Sequence, residues 1–183
     1  MGEFENENIC ENQQNLQNLR SKQIQKMKTA IIYATSHGTT EKVAQQIQSE
    51  LGNNSQLFNL KEVKTVDLSQ FEQVIIGGSI HAGTMQGKVR DFCRKNLIDL
   101  LQKRVALFMC GMNEPDFETE FNNAFPELLR KHAISSKCVG GEFLIEKMNF
   151  FERFIVRKIS GVSQNVSKID EEKVKELVND FKL

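Results

Sequence analysis

The sequence predicts an α/β fold: a three-layer α/β/α sandwich around a five-stranded parallel sheet in the order 2-1-3-4-5. Three observations carry this. Short apolar runs rich in β-branched residues alternate with segments of helical periodicity from Met27 onward. The runs are continuous, as strands buried on both faces require, rather than alternating. Three of them end in polar turns that contain glycine, two also rich in hydroxyl groups, where sheets of this order open a ligand crevice.

In chain order, residues 1–26 come first. They are rich in Asn, Gln and Glu and bury little, so a disordered polar extension is expected ahead of a single domain over 27–183, with Met27 as a natural start. TAIIYA (29–34) reads as the first buried strand. Val43, Ile47 and Leu51 follow at helical spacing, and Gly52-Asn53-Asn54 ends that helix. SQLFNL (55–60) alternates like an edge strand, and QVIIGGS (73–79) is a buried strand ending in two glycines. Val89, Phe92, Cys93 and Leu97 mark the next helix, and RVALFMCG (104–111) the next buried strand. Phe121, Ala124, Phe125, Leu128 and His132 share a helical face that Pro126 disturbs. KCVGGEFLI (137–145) reads as the last strand and MNFFERFIVRKI (148–159) as a helix. Val174, Leu177, Val178 and Phe181 form the apolar stripe of a terminal helix, with Asp170 as its N-cap. Repeated β-α units with right-handed crossovers give the parallel sheet.

Composition narrows the functional classes. Twenty-four basic residues balance 24 acidic ones, which makes nucleic acid a poor partner. Four scattered cysteines, none in a C-x-x-C pair, support neither a zinc site nor a thioredoxin-like motif; no metal site is expected. They read as reduced thiols, and with no signal-like or membrane-spanning stretch the expected location is cytoplasmic.

The turn after the first strand, within YATSHGTTEKVA (33–44), holds the clearest chemistry. A strand-turn-helix junction aims backbone N–H groups and the positive end of a helix at one point. Hydroxyls of Thr35, Ser36, Thr39 and Thr40 add donors, and Gly38 lets the backbone curl close to an anion. The lysine and first glycine of a Walker loop are absent, as is the G-x-G-x-x-G of a dinucleotide site. A terminal monophosphate held by neutral donors fits better, while an ordinary capped helix start explains the same residues equally well. A receiver domain shares the sheet order, but its acidic positions hold Ala34, Thr35, Gly78 and Ser79.

ATSHGTTE resembles the phosphate loop of flavodoxins, GGSIHAG their second loop and ALFMCG the start of their third. IIGGSIHAGTMQGKVRDF and CVGGEFLIEKMNFFERFIVRKISG further resemble the menaquinone-dependent protoporphyrinogen IX dehydrogenase type of flavodoxin-domain protein. The resemblance implies a flavodoxin-like fold, FMN as cofactor, and a redox partner protein or a quinone. It implies that Thr35, Ser36, His37, Gly38, Thr39 and Thr40 hold the FMN phosphate. Ser79, Ile80, His81, Ala82 and Gly83 would line one face of the ring, and Cys110, Gly111, Met112 and Asn113 the other. The chain departs from flavodoxins in lacking the aromatic at Ala82, a tyrosine in the third loop, and the acid at Thr84. Where the dehydrogenases carry a longer basic segment after the fourth strand, NEPDFETEFNNAF is short and acidic.

Among single residues, His81 is the candidate catalytic group, a donor to a reduced flavin or to substrate. His37 reads as a solvent-facing turn residue that can also aid a dianion. KMNFFERFIVRK (147–158) reads first as a sheet-covering helix with a basic outer face, and second as a peripheral contact with a membrane or a quinone-bearing partner. Without the three basic and four acidic residues of the tail, 21 basic groups face 20 acidic ones. That neutrality is unlike an acidic electron carrier. The leading expectation is an FMN-binding electron carrier or flavoenzyme. The alternatives are a menaquinone-linked dehydrogenase of heme biosynthesis and an interaction module without cofactor.

Overall fold

The computed structural model describes residues 27–81, 83–112 and 114–182, without the side chains of His81, Glu114 and Ile159; the segment 1–26, Ala82 and Asn113 lie outside the described residues. In chain order the elements are β1 (Thr29–Tyr33), α1 (Thr39–Leu51), β2 (Ser55–Asn59), β3 (Gln73–His81), β4 (Thr84–Met85), α2 (Gly87–Lys95), α3 (Leu97–Leu100) and β5 (Arg104–Cys110). They continue with α4 (Phe117–Ala124), α5 (Glu127–His132), β6 (Ser135–Cys138), β7 (Glu142–Phe143), α6 (Phe150–Ser160), β8 (Val166–Ser167) and α7 (Glu171–Lys182).

The main sheet runs β2-β1-β3-β5-β6 and its neighbours are parallel, the order expected from the sequence with β5 and β6 as fourth and fifth strands. Successive side chains of a strand point to opposite faces, so each central strand supplies both cores. Ala30, Ile32, Val74, Ile76, Val105 and Leu107 pack with Val89, Phe92 and Leu129 on one face. Ile31, Ile75, Ala106 and Phe108 pack with Val43 and Ile47 of α1 and with Val174, Leu177 and Phe181 of α7 on the other. Asp170 caps α7 as expected: its carboxylate accepts from the Lys173 N–H at 3.0 Å, and the bonds from Lys173 hold its carboxyl below the usual range.

Several elements differ from the sequence expectation, each for a local reason. β3 runs on to His81 and folds back on β4 as a tight hairpin, Ile80 opposite Met85 and His81 opposite Thr84. Gly83, at φ +74°, takes the left-handed position in its turn. The helix after Gly87 breaks at Asn96, whose side-chain amide donates to the Phe92 carbonyl at 2.9 Å and closes α2. The helix around Pro126 is two helices: α4 ends at Ala124, and Pro126, unable to donate a helical hydrogen bond, starts α5. The restart rotates the apolar face, so Leu129 is buried and Leu128 is 60% exposed. The expected strand 137–145 stops at Cys138 because Gly140 turns at φ +71°; β7 then pairs with β8 as a separate antiparallel ribbon.

The connection between β7 and β8 carries α6 as a strap. Asn149 opens α6 with a capping box: its side chain accepts from the Glu152 N–H, and Glu152 accepts from the Asn149 N–H, each at 2.9 Å. The expected sheet-covering role is not what α6 does. Phe150, Phe151 and Phe154 are 87, 69 and 58% exposed. The sheet faces are covered by the other helices, which leaves α6 without a sheet to cover. No helix among the described residues is long and apolar enough to cross a membrane, and no cluster of three metal-ligating side chains occurs among them.

Candidate functional site

β1, β3 and β5 are neighbours in the sheet, with Tyr33 in register with Gly77 and Ser79 with Cys110. Adjacent strands lie about 4.8 Å apart, so the turns after them share one mouth.

The first turn leads from Ala34, fully buried, to the start of α1. It is tied by the Gly38 N–H, which donates to Thr35 Oγ1 at 2.9 Å. Gly38 is the N-cap of α1 at φ +99°, a position that favours glycine, and no side chain caps the helix. A helix start leaves its first N–H groups without intrahelical acceptors. Here, in place of the Ser, Thr, Asp or Asn that would satisfy them, there is a glycine. Thr39 and Thr40 are buried, and Thr40 Oγ1 lies against the Cys110 thiol without a hydrogen bond of good geometry.

Groups from distant elements converge on this turn. Ser36 Oγ accepts from Lys61 Nζ and from Gln86 Nε2, each at 2.9 Å. Lys147 Nζ, from the strap, stands 3.3 Å from where a Cβ on Gly38 would lie. His37 Nε2 is 3.3 Å from Glu152 Oε2 in the cap of α6. The strap's other end is held at Glu142, whose carboxylate accepts from Lys42 Nζ and Ser167 Oγ at 2.9 Å. Burial pushes the Glu142 carboxyl up, but the bonds from Lys42 and Ser167 outweigh it and hold the group below its usual range. Behind the turn, the Tyr33 hydroxyl lies 3.4 Å from Glu41 Oε1. Burial, and then the Glu41 charge, raises its pKa to about 12, so it stays a neutral phenol.

The second turn is the β3–β4 hairpin. Its two glycines are packing residues: a Cβ on Gly77 would overlap the Phe108 ring, and one on Gly78 the Met85 sulfur. Ser79 and Ile80 sit half-buried at the end of β3, and Gly83 is exposed at the tip. The backbone of His81 closes the strand; its side chain lies outside the described residues, as does Ala82.

The third turn begins at Cys110, whose thiol is buried in the core and pushed up to about 12 by that burial. Gly111 follows with its N–H donating to the Gly140 carbonyl at 2.9 Å. Glu120 of α4 reaches beneath it, Oε2 3.8 Å from the Cβ position of Gly111. Burial, and then Asp116, raises the Glu120 carboxyl above its usual value, and Oε2 has no hydrogen-bond partner among the described residues. Met112 is half-buried beside the turn, and Asn113 lies outside the described residues.

The structure thus brings Thr35, Ser36, His37 and Gly38 together at the helix start, with Ser79, Ile80, Gly111 and Met112 on the neighbouring strand ends. Thr40 and Cys110 turn into the core between them. Sequence reasoning did not identify Lys61, Gln86, Lys147 or Glu120. Each reaches its turn across the fold, and as isolated polar residues none carries a local signature.

A family model for the flavodoxin domain matches residues 30–170. Protoporphyrinogen IX dehydrogenase (quinone) of Escherichia coli K12 is 23% identical over 146 residues, 75% of this chain and 81% of that protein. Among solved structures, the flavodiiron core from Synechocystis sp. PCC6803 matches with a TM-score of 0.51 at 17% identity, over 95% of this chain but only 40% of that one. A WrbA-like flavodoxin from Agrobacterium tumefaciens matches with a TM-score of 0.50 at 14% identity, over 85% of this chain and 98% of that one. Both structural likenesses concern the fold.

Proposed function

The chain belongs to the flavodoxin-domain family, and from that premise we propose that it binds FMN across the mouth of β1, β3 and β5 and works as a redox protein. The observation that carries this reading is the start of α1. Its N-cap is a glycine that supplies no capping group, under a hydroxyl-rich turn at the crevice of the sheet. Thr35, Ser36, His37, Gly38, Thr39 and Thr40 are the phosphate residues. Ser79, Ile80, His81, Ala82 and Gly83 would line one side of the ring, and Gly111, Met112 and Asn113 the other; Cys110, expected there from the sequence, instead buries its thiol in the core. Bound FMN supplies the electron or hydride chemistry; the protein supplies binding, orientation and electrostatics. His81, at the end of β3, is the candidate for handling a proton at the ring or substrate. Reconstitution with FMN followed by desalting tests the reading: the protein stays yellow if it holds and emerges colourless if the fold serves only as an interaction module.

A narrower reading is favoured by the exposed face of α6: a cytoplasmic protein that docks on an anionic membrane and passes electrons to a quinone, as in heme biosynthesis. Phe150, Phe151 and Phe154 stand out from the molecule beside Arg157 and Lys158, while Arg153 donates back to the Met148 and Glu146 carbonyls. An aromatic face flanked by cations suits the headgroup region of an anionic bilayer. The E. coli relative's name gives the substrate pair to try. Protoporphyrinogen oxidation by the FMN-loaded protein should be fast with a menaquinone analogue in anionic vesicles and fall at least about tenfold in a Phe150→Ser/Phe154→Ser variant. Equal rates with and without vesicles, or no turnover at all beside rapid reduction by a flavodoxin reductase, would leave only the electron carrier.

A further inference from the structure

Two ammonium groups reach the turn before α1 from outside it, one at Ser36 and one at Gly38. Lys61, beyond the end of β2, donates to Ser36 Oγ at 2.9 Å. Lys147, in the strap, stands over Gly38. No carboxylate among the described residues pairs with either one. Two cations brought to one short turn favour an anion there. Ser36 is prepared to complete the site. Its oxygen already accepts from Lys61 and Gln86, so its hydroxyl hydrogen remains to donate outward. From the strap, the Glu152 carboxylate faces the turn; it is engaged by the Asn149 N–H and approached by His37.

We propose that Lys61 and Lys147 are the counter-ions of a phosphate monoester dianion held at the first turn, and that the strap between β7 and β8 acts as a clamp that carries one of them. The proposal rests on the FMN reading and replaces its neutral cradle with a charged one. Two added cations should deepen the preference for the phosphorylated flavin and, unlike neutral donors, make that preference fall with salt. It also links the strap to cofactor binding, since Lys147 and Glu152 both reach the turn from the segment that presents the aromatic face.

The test is equilibrium titration of the full-length protein with FMN and with riboflavin, alongside competition by inorganic phosphate. Wild type, Lys147→Gln, Lys61→Gln and Lys147→Arg are compared at two salt concentrations. Each glutamine variant is expected to lose about tenfold in FMN affinity, with riboflavin affinity unchanged and a shallower salt dependence. Lys147→Arg should keep most of the affinity, and inorganic phosphate should displace FMN from wild type better than from the variants. Unchanged FMN affinity in both glutamine variants would overturn the proposal, as would an equal loss for FMN and riboflavin, which signals a structural role. A wild type that binds both flavins equally refutes the clamp and leaves flavin binding standing. A wild type that binds neither refutes the FMN reading and the clamp with it.

Discussion

Gly140→Ala is expected to destabilise the protein by about 3 kcal/mol, and more if the junction cannot relax. Two causes act together. The residue sits at φ +71°, in the left-handed region, and an added Cβ would overlap the carbonyl oxygen of Lys168. That carbonyl is backbone and has no side-chain freedom with which to retreat. Gly52→Ala is the matched control. It shares the positive φ, at +78°, but has nothing within 4 Å of the added carbon, so only the conformational cost of about 1 kcal/mol applies. Urea denaturation of both variants separates strain from collision; equal losses would show that the close approach of Gly140 to Lys168 does not constrain the fold. Damage at Gly140 should also reach the site, because its carbonyl accepts from the Gly111 N–H of the third turn.

Gly38→Val should lower FMN affinity by about 10–100-fold while costing less in global stability than Gly140→Ala. The valine cannot hold φ +99° without strain of about 1–3 kcal/mol. Its side chain also enters the space in front of Lys147 Nζ. The turn can relieve this only by rotating the N–H groups that open α1 away from the mouth. Because the turn is solvent-edged and Gly38 is half-buried, the core is spared. Calorimetric titration with FMN, paired with a thermal melt, checks both halves. An affinity close to wild type would mean that the glycine geometry plays no part in binding.

The sequence made the sheet order legible because continuous apolar runs, such as TAIIYA and VALFMC, are buried on both faces. Gly52 and Asp170 could be read as helix boundaries because a C-terminal glycine and an N-terminal aspartate act locally. The mouth of the sheet was legible for the same reason: each turn follows its own strand. The partners of those turns were not. Glu152 reaches His37 across 115 positions, and Glu142 reaches Lys42 across 100. Such pairs are decided by how the strap folds over the sheet, which no short stretch encodes. Gly140 looked like a residue inside a strand because its left-handed turn depends on the backbone of Lys168 arriving beside it. The apolar face of α6 shows the same limit. Phe150, Phe151 and Phe154 have helical spacing whether they meet a sheet or open solvent, and only the completed fold, with both sheet faces already covered, shows that they stay outside.

The central claim is that the turn between β1 and α1 grips the phosphate of a flavin mononucleotide. Titration of the wild-type protein with FMN, and separately with riboflavin, addresses it most directly. The account predicts one FMN per chain, a visible flavin spectrum that survives desalting, and affinity for riboflavin at least about tenfold weaker. A protein that remains colourless after FMN is added and removed, or that takes up both flavins with the same affinity, would contradict it.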